Sequence, residues 1–172
     1  LCVRSKGKHT KQMMAVVGGV ESADAHQIGA PIADGSGARA AMTRALQDAN
    51  LTPSDIDYIK AHGTATPQND AMESLAISEV FGKNTKVSSS KHLTGHTLGA
   101  AGALEAGLCW LYLAYPEFNQ LVSNQVIKDD SLAEIGLITQ PEKAVINTCL
   151  SNSFAFGGNY VSVVLGHLNE EL

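Results

Sequence analysis

Three times between residues 13 and 115 a short β-type run gives way to a stretch with helical spacing, and this alternation restricts the chain to an α/β layer. The first run, 13–20, leads into a polar, Gly/Ala-rich loop over 21–36 that closes on Asp34, Gly35 and Ser36. The helix that follows is the clearest in the sequence. Ala38, Ala41, Met42, Ala45, Leu46 and Ala49 recur at steps of three and four, so one face must lie on a sheet. Asn50 stops it, and a turn at 52–55 leads to a strand over 56–61 with His62 at its end. In the second helix Pro67 suits the first turn, Met72, Leu75, Ala76 and Val80 form the buried stripe, and Gly82 ends it.

The third unit concentrates the reactive residues. Positions 86–105 read KVSSSKHLTGHTLGAAGALE: a strand over 86–90, a polar loop with Lys91, His92 and His96, then a small-residue helix from Thr97 to about Tyr115. Gly99, Gly102 and Gly107 each weaken a helix and are tolerated mainly where neighbours approach closely. That composition predicts a buried central helix whose N-terminus, with its free N–H groups and positive dipole end, is aimed at a pocket. Residues 116–140 are polar and weakly periodic, which predicts a surface excursion with one short strand. Runs at 144–150 and 160–165 flank a Gly-bearing turn at 151–159, which predicts a hairpin and completes a layered mixed sheet flanked by helices. Residues 1–12, basic and aperiodic, read as a tail or severed connector, leaving 13–172 as one domain.

A chain of 172 residues with 44% hydrophobic and 17% charged residues has enough apolar material for one folded core. Its net charge of −5 argues against a nucleic-acid partner, which requires a concentrated basic face. No apolar run reaches the roughly 18 residues of a membrane span and the first residues lack a signal-peptide layout, so the expected location is cytoplasmic. Cys2, Cys109 and Cys149 are widely spaced with no C-x-x-C pair, which speaks against a disulfide framework or zinc site. Cys109 and Cys149 sit in apolar runs and read as small buried hydrophobes.

Ligands of open α/β sheets collect beyond the carboxyl ends of the strands, where His62, Lys91 and His96 fall. Two imidazoles from separate strand ends can converge there, to donate hydrogen bonds to a carbonyl oxygen or a developing enolate. Lys91 adds a positive charge, and Glu105, alone in an apolar helix, needs a partner that Lys91 can provide. Each has a plainer reading. A histidine at a strand end is more often a structural hydrogen-bonder, and His92 has no evident target. His92 and His96 have the spacing of helical metal ligands, but Gly95 lies between them and no H-E-x-x-H pattern exists, so no metal is expected. Thr64 and Thr66 can serve as turn and cap residues, Asp70 can favour a helix start, and Phe154 and Phe156 can be core packing.

Taken together these blocks resemble the β-ketoacyl-acyl-carrier-protein synthases. They are His62-Gly63-Thr64-Ala65-Thr66-Pro67 with Asp70, Ser89-Ser90-Lys91 with Thr94-Gly95-His96 and Gly99-Ala100-Ala101-Gly102, and Asn152-Ser153-Phe154-Ala155-Phe156-Gly157-Gly158. The resemblance covers about residues 13–166 and implies the carboxy-terminal half of a thiolase-like fold, the nucleophilic cysteine lying in an amino-terminal half. It implies a decarboxylative Claisen condensation. His62 and His96 would hold the malonyl thioester carbonyl, Lys91 would tune the site with Glu105 as its acidic partner, and the Phe156 N–H would join the oxyanion hole. Thr64 and Thr66 would contact the phosphopantetheine arm, and Phe154 would guard the acyl pocket with the Phe156 ring. No cofactor of its own is implied beyond the phosphopantetheine on acyl carrier protein. The implied partners are that carrier, the missing half and a second copy of the full-length protein. Ala65 stands where the family often has Ser, Ala155 where it usually has Gly, and Asn159-Tyr160 replaces its usual continuation. A chain-length-factor-like partner, a carrier-binding or dimerisation module, and a thiolase acting on coenzyme A are the rival readings.

Overall fold

A computed structural model of the chain describes residues 2–3, 14–23, 31–118, 120–121 and 128–167. Seven strands form one mixed sheet in the order β1 (Cys2–Val3), β2 (Met14–Ala23), β9 (Asn159–His167), β8 (Thr148–Ala155), β3 (Tyr58–Lys60), β4 (Lys86–Ser88) and β6 (Gly136–Leu137). The first four pair antiparallel in turn. From β8 onward the neighbours run parallel. A second, two-stranded sheet joins β5 (Gln120–Leu121) to β7 (Glu142–Lys143).

Helices cover both faces, as the alternation requires. On one, α1 (Ser36–Asp48) and α2 (Pro67–Phe81) close with Ala41, Met42, Ala45, Met72 and Ile77 over Ile59, Val87, Leu150 and Val164. Each buried Met, Ile, Leu or Val among these stabilises the fold by roughly 1.5–3 kcal/mol, and each Ala by less than about 1 kcal/mol. α1 comes this close because position 37 has no side chain; a Cβ there would lie 2.3 Å from the Tyr160 ring. On the other face, the one-turn α3 (Lys91–Thr94) and a 3-10 turn at Leu98–Ala100 lead into α4 (Ala101–Ala114). Cys109 and Leu113 of α4 pack on Tyr58, Cys149 and Leu165. Successive strand residues face opposite ways, so Tyr58 and Lys60 look toward α4 while Ile59 and Ala61 look toward α1 and α2.

Several expectations need correcting. β2 extends three residues past Val20, and Cys2–Val3, inside the segment read as a tail, pair with β2 as an edge strand. The buried stripe of α2 is Met72, Ala76, Ile77 and Phe81, with Leu75 and Val80 only half-buried. Lys91–Thr94 is a helical turn rather than a loop, because the Ser90 carbonyl accepts from the N–H groups of Leu93 and Thr94. The predicted excursion contributes two short strands, β5 and β6. β8 runs through Ser151, Asn152 and Ser153, which were expected in a turn; the hairpin turn is Phe156-Gly157-Gly158, with both glycines at positive φ. α4 is buried on one side only: Leu104 is 38% exposed, and nothing among the described residues approaches Gly99 or Gly107. Close approach explains Gly102 alone, where a Cβ would meet the Ser153 hydroxyl at 3.0 Å.

Candidate active site

His62 follows directly from β3, and its backbone is fixed from the α2 side. Glu73 lies on the buried face of α2 and accepts from the N–H groups of His62 and Gly63, both at 2.8 Å. Asn152 of β8 adds a hydrogen bond to the same carboxylate at 3.3 Å, and Asn152 in turn accepts from the Ser162 hydroxyl at 2.8 Å. Burial raises the Glu73 carboxyl above its ordinary range, against the lowering effect of these donors. Gly63 turns the chain at φ 49°, and the Ser89 hydroxyl donates to its carbonyl at 3.2 Å, which ties the β3 end to the β4 end. A Cβ on Gly63 would strike Ser89 at 2.6 Å.

The ring of His62 is fixed from the α4 side. Lys91 pairs with Glu105 of α4, both nearly inaccessible, and also donates to the His62 carbonyl. Its ammonium lies 3.4 Å from His62 Nδ1. Burial, then the charge of Lys91, then His96, hold the imidazole down from 6.5 to about 3, so the ring is neutral at physiological pH. An Nδ1 facing an ammonium is an acceptor, which leaves the ring proton on Nε2.

His96 is exposed, and its Nδ1 accepts the Leu98 N–H at 3.2 Å. Its proton is therefore also on Nε2. The two rings meet edge to face, centroids 5.3 Å apart and planes at 86°. They line one cavity of about 630 Å³ with Thr64, Thr66, Gln68, Phe154 and Phe156. Two imidazoles, each with an Nε2–H to offer, can bind one carbonyl oxygen more tightly as it gains negative charge.

The remaining expected residues fall around this cavity in different roles. Thr64 and Thr66 share a hydroxyl hydrogen bond at 2.9 Å, and Thr66 holds the N-cap position of α2 ahead of Pro67 with no side-chain bond to the helix. Phe154 is 7% exposed and packs between His62 and Tyr160, centroids 5.6 and 5.2 Å away. Phe156, 78% exposed, stands in the turn at the cavity edge. Lys91 and Glu105 do not line the cavity; Lys91 contacts His62, and Glu105 contacts Lys91. His92 is exposed and makes no contribution to the lining. Cys109 and Cys149 are fully buried, and the hydrogen bond to Cys109 followed by burial pushes the Cys149 thiol well above its ordinary value. Among the described residues no cluster of His, Cys, Asp or Glu has the arrangement of a metal site.

Glu73, Asn152 as its partner, and Gln68 and Tyr160 in the cavity wall escaped the sequence reading. Glu73 did leave a signal: Asn69, Glu73 and Ile77 recur at steps of four along the face that also carries Met72 and Ala76. A carboxylate at such a position has to have found donors.

Residues 14–123 match the family described as "Beta-ketoacyl synthase, C-terminal domain". The chain is 40% identical over 155 residues to the mitochondrial 3-oxoacyl-[acyl-carrier-protein] synthase of Arabidopsis thaliana, an alignment covering 86% of this chain and 33% of that protein. It is 35% identical to 3-oxoacyl-[acyl-carrier-protein] synthase 2 of Vibrio harveyi, over 96% of this chain and 41% of the relative. The chain thus spans about a third to two fifths of the length of these relatives. Among solved structures, the ketosynthase ApeO, in complex with its chain length factor ApeC from Xenorhabdus doucetiae, superposes with a TM-score of 0.86 at 47% identity, covering 90% of this chain and 39% of that one. A β-ketoacyl synthase from Burkholderia phymatum gives 0.80 at 33% identity, covering 92% and 38%.

Proposed function

The chain belongs to the β-ketoacyl synthase family, with the thiolase-like fold of its carboxy-terminal half, and on that premise we propose that it supplies the histidine side of a site for decarboxylative Claisen condensation. The observation that carries this reading is the meeting of His62 and His96 in one cavity, with Lys91 and Glu105 behind the first ring. Malonyl-acyl carrier protein is the proposed extender, its phosphopantetheine arm passing Thr64 and Thr66. Both Nε2–H groups donate to the thioester oxygen. The bond to the carboxylate breaks, carbon dioxide leaves, and the electron pair becomes an enolate held by those donors. The enolate carbon then attacks an acyl thioester whose oxygen is bound by the Phe156 N–H, and a cysteine thiolate departs. The cysteine belongs to an amino-terminal half, since Cys109 and Cys149 are core residues and Cys2 lies on the edge strand. The isolated chain is therefore inactive alone and needs no cofactor of its own.

The full-length protein is proposed to work as a homodimer in fatty-acid or polyketide-like synthesis, in a cytoplasmic setting shared with its carrier. No described helix is long and apolar enough to cross a membrane. A heterodimer with a chain length factor is the second reading, because ApeO and the ishigamide ketosynthase were both solved with such a partner. The mass of the full-length protein purified with and without its genomic neighbours separates the two. Function is tested by giving full-length protein malonyl- and acyl-carrier protein and following product by mass spectrometry. His62→Ala and His96→Ala are each expected to lose about 10²- to 10³-fold in rate. An inactive full-length wild type would refute the function, and condensation by the isolated chain would refute the division of labour.

A further inference from the structure

His62, Thr64, Thr66 and Gln68, alternate residues from the end of β3 to the first turn of α2, all line the cavity. Exposure rises along this row: His62 is buried, Thr64 half-buried, and Thr66 and Gln68 exposed. The row therefore runs from the floor of the cavity, where the two imidazoles meet, to its mouth. Nearer the floor the polar atoms have partners in the fold. Lys91 faces the His62 ring, and the Thr64 and Thr66 hydroxyls bond each other at 2.9 Å. Asn69, the other carboxamide in the wall, donates to Asp70 at 3.2 Å and to Glu73 at 3.5 Å. The Gln68 carboxamide has no hydrogen bond among the described residues. Pro67 fixes the backbone just ahead of it, so the root of this side chain is held while its polar end is left open to a ligand.

We propose that Gln68 is a specificity-determining residue that binds the outer amide of a pantetheine thioester, the amide farther from sulfur. The inference rests on the condensing function proposed above. A pantetheine arm carries two secondary amides in series, each with one N–H and one C=O. A glutamine carboxamide offers the complementary acceptor and donor in one plane. With the thioester oxygen held between His62 and His96, the arm leaves along the row, its inner amide meeting the threonine hydroxyls and its outer amide meeting Gln68. Both hydrogen bonds form between neutral groups at an exposed rim, so together they raise affinity by about tenfold. A thioester that ends after its inner amide gains nothing from Gln68.

The test compares two malonyl thioesters that differ in that amide: malonyl-pantetheine, which has both, and malonyl-N-acetylcysteamine, which has the inner one only. In the full-length protein, kcat and KM are measured for each ester with wild type, Gln68→Ala and Gln68→Met. Wild type is expected to prefer the pantetheine ester, and both variants to lose that preference by about tenfold, through KM rather than kcat. Met keeps the length of Gln without its polar atoms, so a loss in Gln68→Met assigns the preference to hydrogen bonding. A preference that survives in Gln68→Met, or an equal loss on both esters, overturns the proposal. If wild type turns over neither these esters nor malonyl-carrier protein, the condensing function has failed. In that case, and equally if only the carrier substrate reacts, affinities from ligand-observed NMR decide the glutamine question. Weaker binding of the pantetheine ester alone in Gln68→Met supports the proposal, and equal binding of the two esters by wild type overturns it.

Discussion

Lowering the pH of the full-length protein from 7 toward 4.5 probes the environment of His62 directly. In an unfolded chain the imidazole takes up its proton near 6.5, whereas burial, Lys91 and His96 delay that uptake to about 3 in the folded protein. Between those values the unfolded state binds one proton more, so stability falls with pH by about 1.4 kcal/mol per pH unit. Over the whole interval the loss is about 5 kcal/mol, comparable with the roughly 5–15 kcal/mol that holds a typical domain folded. Glu73 works the other way. Its carboxyl is raised by burial, so the folded state binds that proton first and gains stability as pH drops through the raised value toward the ordinary one. His62→Asn removes the first contribution and leaves the second, so the comparison isolates His62. Denaturant unfolding at about pH 7, 5.5 and 4.5 should show wild type losing ground to the variant below pH 6.5, by about 3 kcal/mol at the lowest pH. A difference that stays constant across the series would refute the buried, neutral ring.

Two further substitutions address the two carboxylates. Glu73→Ala strands the His62 and Gly63 N–H groups, so it should cost about 2–5 kcal/mol by urea midpoint and slow condensation, with Glu73→Gln milder in both; unchanged midpoint and rate would show that the loop holds itself. Glu105→Ala leaves the Lys91 ammonium buried and uncompensated, at about 3–5 kcal/mol, and adding Lys91→Met should recover most of that loss in a double-mutant cycle. Additive losses would mean that the two side chains do not act as a pair.

What could be read ahead of the structure follows from how far each signal reaches along the chain. The face of α1 was legible because Ala38 to Ala49 repeat over three turns against a single sheet. The Lys91–Glu105 pair was legible because one carboxylate in an apolar helix demands a cation, and one stood in the preceding loop. β8 was misplaced because Ser151, Asn152 and Ser153 look like turn residues until their partners are known; Ser162 and Glu73, distant in sequence, satisfy Asn152 inside the sheet. Lys60 was hidden for a related reason: a three-residue strand shows too little alternation to reveal which side chains are buried. The openness of α4 was missed because small residues mark close approach without saying whether the approaching element is in the same chain.

The two buried carboxylates divide the control of one histidine between the two helical layers. Glu73, from the α2 side, holds the backbone N–H groups of residues 62 and 63 and so fixes where the strand ends and the loop begins. Glu105, from the α4 side, holds Lys91, whose ammonium sets the tautomer of the ring. Neither carboxylate touches the cavity, yet each constrains a different degree of freedom of His62: the position of its Cα, and the proton on its ring. His96 needs neither, because the Leu98 N–H two residues on sets its tautomer locally and its ring is open to solvent. This asymmetry suits two donors to a single oxygen. The ring that is buried must be kept neutral beside a cation, so it depends on both layers of the fold, whereas the ring at the entrance is free to adjust to an incoming ligand. Damage to the packing of α2 or α4 should therefore reach the chemistry through His62 first.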